Sequence, residues 1–355
     1  MSAVATSITE DEASLYDRQI RLWGLEAQNR MRSSTILILT LRALAQETIK
    51  NLVLAGVGRL IVMDDQKVSE VDLGAGLLFR EEDGDVGKMR VEAALPQIKS
   101  LNPLVTITPL PTLSPFISSS TSTSQETIED FLKREKVDLV CGTDLDRSTL
   151  ERINSACRAT RTSFYGAGSY GYIGYIFADL GSSFEYVSSS NDGKQTKRCA
   201  DYAPFCEAFT KEGNNPFKGL KRNETREKLP ALVLGVLSVW EYQARHGALP
   251  TSEDATEELM AIAEAKRVEL GINEKALAVV PPDMITYVII NLKSHLATTA
   301  PAEFAPSAAI LGGLLAQDIL RALSRKEKPV MGLCVVDCMA GTGAVSRWGV
   351  TERDL

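Results

Sequence analysis

The stretch TILILTLRALAQETIKNLVLAGVGRLIVMDD, residues 35–65, constrains the fold more than any other part of the chain. A β-branched apolar run from Thr35 to Leu39 leads into a tight turn. Apolar residues then recur at helical spacing through Leu44, Ile49, Leu52 and Val53, pause at Gly56 and Gly58, and give way to a second apolar run from Leu60 to Met63. Two apolar runs flanking a helix make a βαβ unit, and strands this uniformly apolar belong in a parallel sheet covered on both faces. Asp64 and Asp65 stand at the carboxyl end of the second strand, where a nucleotide-binding unit often places a carboxylate on a ribose.

The turn between the first strand and the helix departs from that use. A dinucleotide fingerprint places glycine where this chain has Thr40, Arg42 and Ala45. The first glycine permits the sharp turn, the second lets the backbone approach pyrophosphate, and the third lets helix and strand pack closely. Ala45 is a small loss, whereas the Arg42 side chain is expected to fill the space in which phosphate would meet backbone N–H groups. The expectation is an intact scaffold with a closed phosphate cradle. It also disfavours a nicotinamide-dependent oxidoreductase.

Before the hub, Thr9–Glu12 has the T-x-x-E form of a capping box, predicting a helix that carries YDRQIRLWGLEAQNRM with Tyr16, Ile20, Trp23 and Ala27 on one face; residues 1–8 are expected to be disordered. After the hub, Gly87 leads into a helix that Pro96 should kink and Pro103 should end. Val105–Leu110 reads as a strand, residues 114–125 as a low-complexity surface loop, and Glu126–Lys136 as a helix. The strand VDLVCGTD ends on Asp144, a helix spans Arg147–Arg161, and two strands with glycine turns follow to Gly181. Strand and helix alternating in this order predict an α/β fold with a doubly wound, mostly parallel sheet. Residues 182–198 read as a polar linker and 200–280 as helical, with helices at Leu229–Arg245 and Ala255–Leu270. Val279–Ile290 then returns the chain. Pro306–Ser324 is a long helix, apolar around most of its circumference, in which Gly312–Gly313 permits another helix to come close. The final LCVVDCMAGTGAVSRW reads as two strands about a glycine turn.

Several functions are excluded by what is missing. A net charge of −7 leaves no excess of Lys or Arg to replace the counterions of nucleic acid. The 6 cysteines include no CxxC pair and the chain has 2 histidines, which argues against a structural zinc site. No basic region followed by an apolar core opens the chain, and its longest mainly apolar run, Ala231–Val239, is too short to span a bilayer. A soluble protein of the cytosol or nucleus is expected. His246 and His295 are isolated, and Tyr170, Tyr172 and Tyr175 are expected to pack a sheet rather than hold a nucleobase.

Five segments together resemble a known family: YDRQIRLWG (16–24), NLVLAGVGRLIVMDD (51–65), DVGKMRVEAA (85–94), SYGYIGYIFADLG (169–181) and AAILGGLLAQDILRALS (308–324). They are similar to the ThiF/MoeB-type adenylation fold of ubiquitin-like activating enzymes, and within it to the small, Aos-type subunits of SUMO-activating heterodimers. The resemblance weakens over residues 110–130 and 182–280. It implies an adenylation domain in two parts, 1–181 and 281–355, with residues 182–280 as linker and small inserted helical domain.

In the active halves of this family ATP is held by the turn glycines, a ribose aspartate, an Asn/Arg/Gln cluster, a lysine and a magnesium-side aspartate. Here the resemblance leaves only vestiges: Asp64 or Asp65 for the ribose carboxylate, Lys88 for the lysine, and a loosely matched late aspartate, with Leu145 in its place between Asp144 and Asp146. The cluster's Arg and Gln are replaced by Ala75 and Gly76. This half is therefore expected not to adenylate alone. Arg18 matches the YDRQ arginine, which in the family reaches across the interface to the partner's ATP. The implied assembly is a heterodimer with a large catalytic Uba-type subunit that carries ATP, Mg, the structural zinc and the thioester cysteine, serves SUMO, and hands it to a conjugating enzyme in the nucleus. Cys199 and Cys206 do not resemble the family's cysteine motif and read as structural thiols. Other possibilities are the equivalent subunit for another ubiquitin-like modifier, a homodimeric MoeB/ThiF-like adenylating or sulfurtransfer enzyme, and a scaffold without chemistry.

Overall fold

The computed structural model describes residues 15–117, 126–189, 194–209, 215–277 and 294–355. The predicted capping box at residues 9–12, most of the low-complexity loop and all of the returning segment 279–290 lie outside the described residues. Helices α1 (Asp17–Trp23) and α2 (Leu25–Arg32) replace the single expected helix, because Gly24 takes φ +87° and breaks it. The hub follows as β1 (Thr35–Leu39), α3 (Ala43–Ala55) and β2 (Arg59–Met63). Gly56 ends α3 in the left-handed conformation, φ +77°, and a Cβ there would strike the Tyr16 ring at 2.4 Å. Gly58 is needed for a second reason, since a Cβ would lie 2.2 Å from the Arg32 carbonyl oxygen. These two glycines let the amino-terminal helices seat on the βαβ unit.

The chain continues through α4 (Asp72–Ala75), α5 (Arg90–Leu101), β3 (Thr106–Leu110), α6 (Ile128–Glu135), β4 (Leu139–Thr143), α7 (Arg147–Thr160), β5 (Ser163–Tyr170) and β6 (Ile173–Asp179). Helix α5 runs through Pro96 without interruption. Then come β7 (Phe184–Ser189), β8 (Gln195–Tyr202), α8 (Phe205–Ala208), α9 (Arg222–Glu227), α10 (Pro230–His246), α11 (Ala255–Glu269) and α12 (Glu274–Leu277). The last elements are α13 (Ala305–Ser324), β9 (Leu333–Asp337), β10 (Thr342–Ser346) and β11 (Val350–Asp354).

Eight strands form the main sheet in the order β10-β9-β6-β5-β4-β1-β2-β3. The portion β3-β2-β1-β4-β5 is parallel, while β6, β9 and β10 extend it antiparallel. The result is the mostly parallel, doubly wound sheet that the alternating elements predict. Ile36, Ile38, Leu60 and Val62 face one core, Leu37, Leu39, Ile61 and Met63 the other, which is why both strands are apolar at every position.

Two expectations are corrected. The expected linker 182–198 instead holds strand β7 and the first part of β8, which pair antiparallel and which β11 completes as a three-stranded antiparallel sheet. Its Ser- and Asn-rich composition masked a period-2 alternation in which Phe184 and Tyr186 turn inward and Glu185 outward. Nor do the helices of 200–280 close a core of their own. Trp240 of α10 meets Tyr175 of β6 edge-on at 5.1 Å and Phe205 of α8 at 5.4 Å, so α10 is wedged between the sheet and α11 in one continuous core.

Glu352 of β11 anchors the small sheet. Its carboxylate accepts from Lys328 Nζ at 2.7 Å, from Arg347 Nη2 at 3.0 Å and from the Tyr186 hydroxyl. Burial opposes its ionisation, but the Lys328 ammonium and Tyr186 hydroxyl prevail, with Arg347, and bring its pKa down to about 2. A depressed carboxylate stabilises the fold above its ordinary pKa and loses that contribution as pH falls toward the folded value. Glu352→Gln should therefore cost about 2 kcal/mol near neutral pH, the worth of a charge-assisted hydrogen bond. In acid unfolding curves the gap between the variant and the natural chain should close between pH 4.5 and about 2.

Candidate functional site

In a doubly wound sheet the ligand crevice opens where strand order reverses, outside the carboxyl ends of the strands. Here that point lies between β1 and β4, and the first residues past those strands are Thr40 and Asp144. Both take left-handed backbone, φ +70° and +53°. A β-branched residue with positive φ is a strained choice, so the turn keeps a glycine conformation without the glycine. The Thr40 hydroxyl donates to the Thr143 carbonyl at 2.7 Å, tying the two turns together across the crevice.

The start of α3, where a bound phosphate would meet the helix dipole and free N–H groups, is occupied by this chain's own side chains. The Ala43 N–H donates to Glu303 Oε1 at 2.8 Å, and the Leu41 N–H donates to Asp64 Oδ2 at 2.7 Å. Arg42 does not itself cover the N–H groups as expected. Its guanidinium turns to Glu303, 3.3 Å away, and donates to the Pro301 carbonyl at 3.1 Å. A carboxylate from the segment before α13 thus sits in the anion seat, and Arg42 holds it there.

Electrostatics in the crevice follow from burial. Desolvation pushes the carboxyls of Asp64, Asp144 and Glu303 above their usual range, against Arg90, Arg42 and the N–H groups that favour their charged forms. Burial also pulls on Arg42, but Asp144 and Glu303 more than offset it and raise its pKa. Asp144 Oδ1 accepts the Ser169 N–H at 3.0 Å, while its buried Oδ2 has no hydrogen-bond partner among the described residues. Deeper in, Arg90 bridges Asp72 at 2.7 Å and Asp64 at 3.5 Å. The Gln46 Oε1 accepts the N–H groups of Leu77 and Leu78 at 2.9 and 2.8 Å and fills the space above Gly76. These residues do not fit a triphosphate, since the backbone donors are taken and three carboxylates face the space it would need.

Of the residues matched on sequence, Asp64 and Asp144 line this crevice, whereas Lys88 does not reach it. The Lys88 ammonium pairs with Asp85 at 2.9 Å and donates to the Asp83 carbonyl at 2.8 Å. Asp65 accepts from Gln66, and Asp146 caps α7 by accepting the Thr149 N–H at 3.0 Å. Glu303, Arg90 and Asp72 were not singled out from sequence. Arg90 lies inside the DVGKMR segment and could have been weighed with Lys88; Glu303 carries no local signal, because its partner is about 260 positions away.

Arg18 sits on α1, at the far end of α3 from the crevice, where Gln19 Nε2 donates to the Leu54 carbonyl at 3.2 Å and Tyr16 closes over Gly56. It is exposed and forms no ion pair with any described residue. Cys199 is buried in β8 and Cys206 is exposed on α8. His295 is not isolated, since it stacks on Tyr172 at 4.7 Å and Nε2 accepts the Tyr172 N–H at 3.1 Å; His246 pairs with Glu258 at 2.9 Å. Among the described residues no three His, Cys, Asp or Glu side chains gather as a metal ion would require.

The ThiF family matches residues 16–347. SUMO-activating enzyme subunit 1 of Rattus norvegicus is 32% identical over 377 residues, covering 98% of this chain and 98% of its own. The Homo sapiens protein of the same name is 32% identical over 96% of each chain, and that of Danio rerio 28% over 96% of each. Among solved structures, E. coli MccB with succinimide superposes with a TM-score of 0.53 at 12% identity, over 97% of this chain and 73% of that one. PaaA gives 0.53 at 14% identity, over 99% and 76%. At such identity these two speak for the fold alone.

Proposed function

The chain belongs to the ThiF family, and from that premise we propose that it is the non-catalytic small subunit of a SUMO-activating heterodimer. The observation that carries the proposal is the Glu303 carboxylate on the Ala43 N–H, 2.8 Å long, in the seat a nucleotide phosphate would need. A chain whose anion seat is filled by itself contributes to adenylation through a partner. Relatives of matching length named SUMO-activating enzyme subunit 1 support the choice of modifier.

In this reading the partner holds ATP with Mg, adenylates the SUMO carboxyl terminus, takes it onto its own cysteine and passes it to a conjugating enzyme. This chain contributes Arg18. Helix α3 spans 13 residues, so Arg18 stands about 20 Å from the chain's own crevice and can serve only a neighbour's phosphates. A guanidinium delivered in this way stabilises charge that develops on the transferring phosphates. The docking face is the outer side of α13 with the end of α3. Ile310 and Leu314 are 43% and 44% exposed there and Leu54 47%, and a shallow cavity of about 470 Å³ opens over Gly313. Apolar exposure of this kind on paired helices suits a permanent interface.

The test is ATP–pyrophosphate exchange with SUMO, run on this chain alone and then with the large subunit added. Exchange is expected only in the mixture; exchange by the chain alone would overturn the filled-seat reading. Substituting another ubiquitin-like modifier for SUMO checks the equivalent-subunit alternative.

A further inference from the structure

The opposite edge of the sheet, at the amino ends of β1, β4 and β5, holds an open groove of about 1090 Å³. Helices of a doubly wound sheet run against the strands, so α2, α6, α7 and α13 all end here, at Ser33, Lys136, Arg161 and Arg325. The groove is lined by six basic residues and two acidic ones. Both acids are already engaged: Asp138 accepts the Thr35 N–H at 2.8 Å, and Asp179 accepts from Arg158 and Asn154 at 2.8 and 2.7 Å. Arg30 donates to the Ser324 carbonyl at 2.8 Å. Lys133, Lys136, Arg161 and Arg325 remain, exposed and without a carboxylate partner among the described residues.

Part of this charge answers the helix ends, each of which carries roughly half a negative charge. Four such ends offset about two of the four cations that lack a carboxylate, one of which, Arg325, lies over the Phe184 ring at 5.6 Å, leaving a positive excess on a chain whose net charge is −7. Last-turn carbonyls at these ends are taken by the cap N–H groups of Ser33, Lys136 and Arg161 and, at Ser324, by Arg30, so the feature left for a ligand is positive charge. That charge is spread over the ends of α6, α7 and α13. A free phosphate concentrates its charge at one point and is repelled by the helix ends. An extended acidic polypeptide spaces its carboxylates along the groove and meets all three ends. The volume also exceeds what an ordinary small-molecule pocket needs.

We propose that this groove docks an acidic segment of a partner polypeptide through Lys133, Lys136, Arg161 and Arg325. The site is separate from the nucleotide crevice and from Arg18, and it stands whether or not the heterodimer assignment holds.

The experiment is fluorescence anisotropy of the full chain with a fluorescein-labelled (Glu-Gly)5 peptide. Saturable binding that weakens with salt is expected, and Lys136→Gly with Arg161→Gly should weaken it roughly tenfold, as lost complementary charges do. Both positions have positive φ, +53° and +59°, so glycine suits the backbone and the variant keeps its thermal midpoint. Lys99→Glu, on another surface, should leave binding unchanged. Several outcomes would overturn the proposal: binding insensitive to the double variant, equal loss in Lys99→Glu, or displacement of the peptide by equimolar pyrophosphate. Binding that appears only after removal of residues 1–14 would also overturn it, assigning the groove to this chain's own Glu10–Glu12.

Discussion

Replacing Arg18 with alanine should lower adenylate formation by the heterodimer roughly 10²-fold at saturating ATP, the usual loss when one preorganised donor to developing charge is removed. Assembly should not change. Arg18 is exposed and makes no ion pair with described residues, so its loss removes no ion pair among them. The two measurements are pyrophosphate exchange and the elution position of the complex on gel filtration. Arg18→Lys should recover only part of the rate, because an ammonium cannot reproduce two-point contact with phosphate oxygens. A scaffold without chemistry predicts the opposite pattern, full exchange in both variants, and that result would remove Arg18 from the reaction.

What could be read from the residues divides along the range of the interactions. The hub was legible because its strands are buried on both faces, which forces a continuous apolar run, and because Gly56 and Gly58 punctuate it locally, even though the contacts that demand them come from Tyr16 and Arg32 outside the hub. The strands β4, β5 and β6 were legible for the same reason. The hairpin β7–β8 was not, since only one of its faces is buried and its polar face dominates the composition. Strand β11, VTERD, carries almost no apolar signal and is held instead by Glu352 reaching Lys328, Arg347 and Tyr186.

The crevice shows the same division. Loss of its glycines was visible in Thr40 and Arg42, and that sufficed to expect a closed cradle. The group that closes it was not visible. Glu303 reaches Ala43 from 260 positions further along the chain, and no local pattern marks a carboxylate that caps another element's helix. Arg42 was expected to be the obstruction and is instead the clamp on it, pairing with Glu303 at 3.3 Å. A sequence can therefore report that a phosphate site is lost more readily than how the vacancy is satisfied.

The Gly312–Gly313 pair offers the sharpest separation of folding from assembly. Gly312 faces inward, where a Cβ would lie 2.6 Å from Glu47 Cβ and 3.1 Å from the Thr48 nitrogen of α3. Backbone cannot yield there without parting α13 from the hub, so Gly312→Leu should cost about 3 kcal/mol or more, the upper range of overpacking penalties. Gly313, one residue on, meets nothing within 4 Å and opens outward beside Ile310, Leu314 and Asn51. Gly313→Leu should leave the isolated chain unharmed or stabilise it by about 0.8 kcal/mol, the helix-propensity gain of losing a glycine. The same change fills the cavity over α13 that the large subunit is proposed to enter. Identical substitutions on adjacent residues thus carry opposite expectations: one lowers the thermal midpoint of the chain alone, and the other weakens only its capture of the partner. If Gly313→Leu binds the large subunit as well as the natural chain does, the outer face of α13 is not the docking surface, and the exposed Leu54, Ile310 and Leu314 need another explanation.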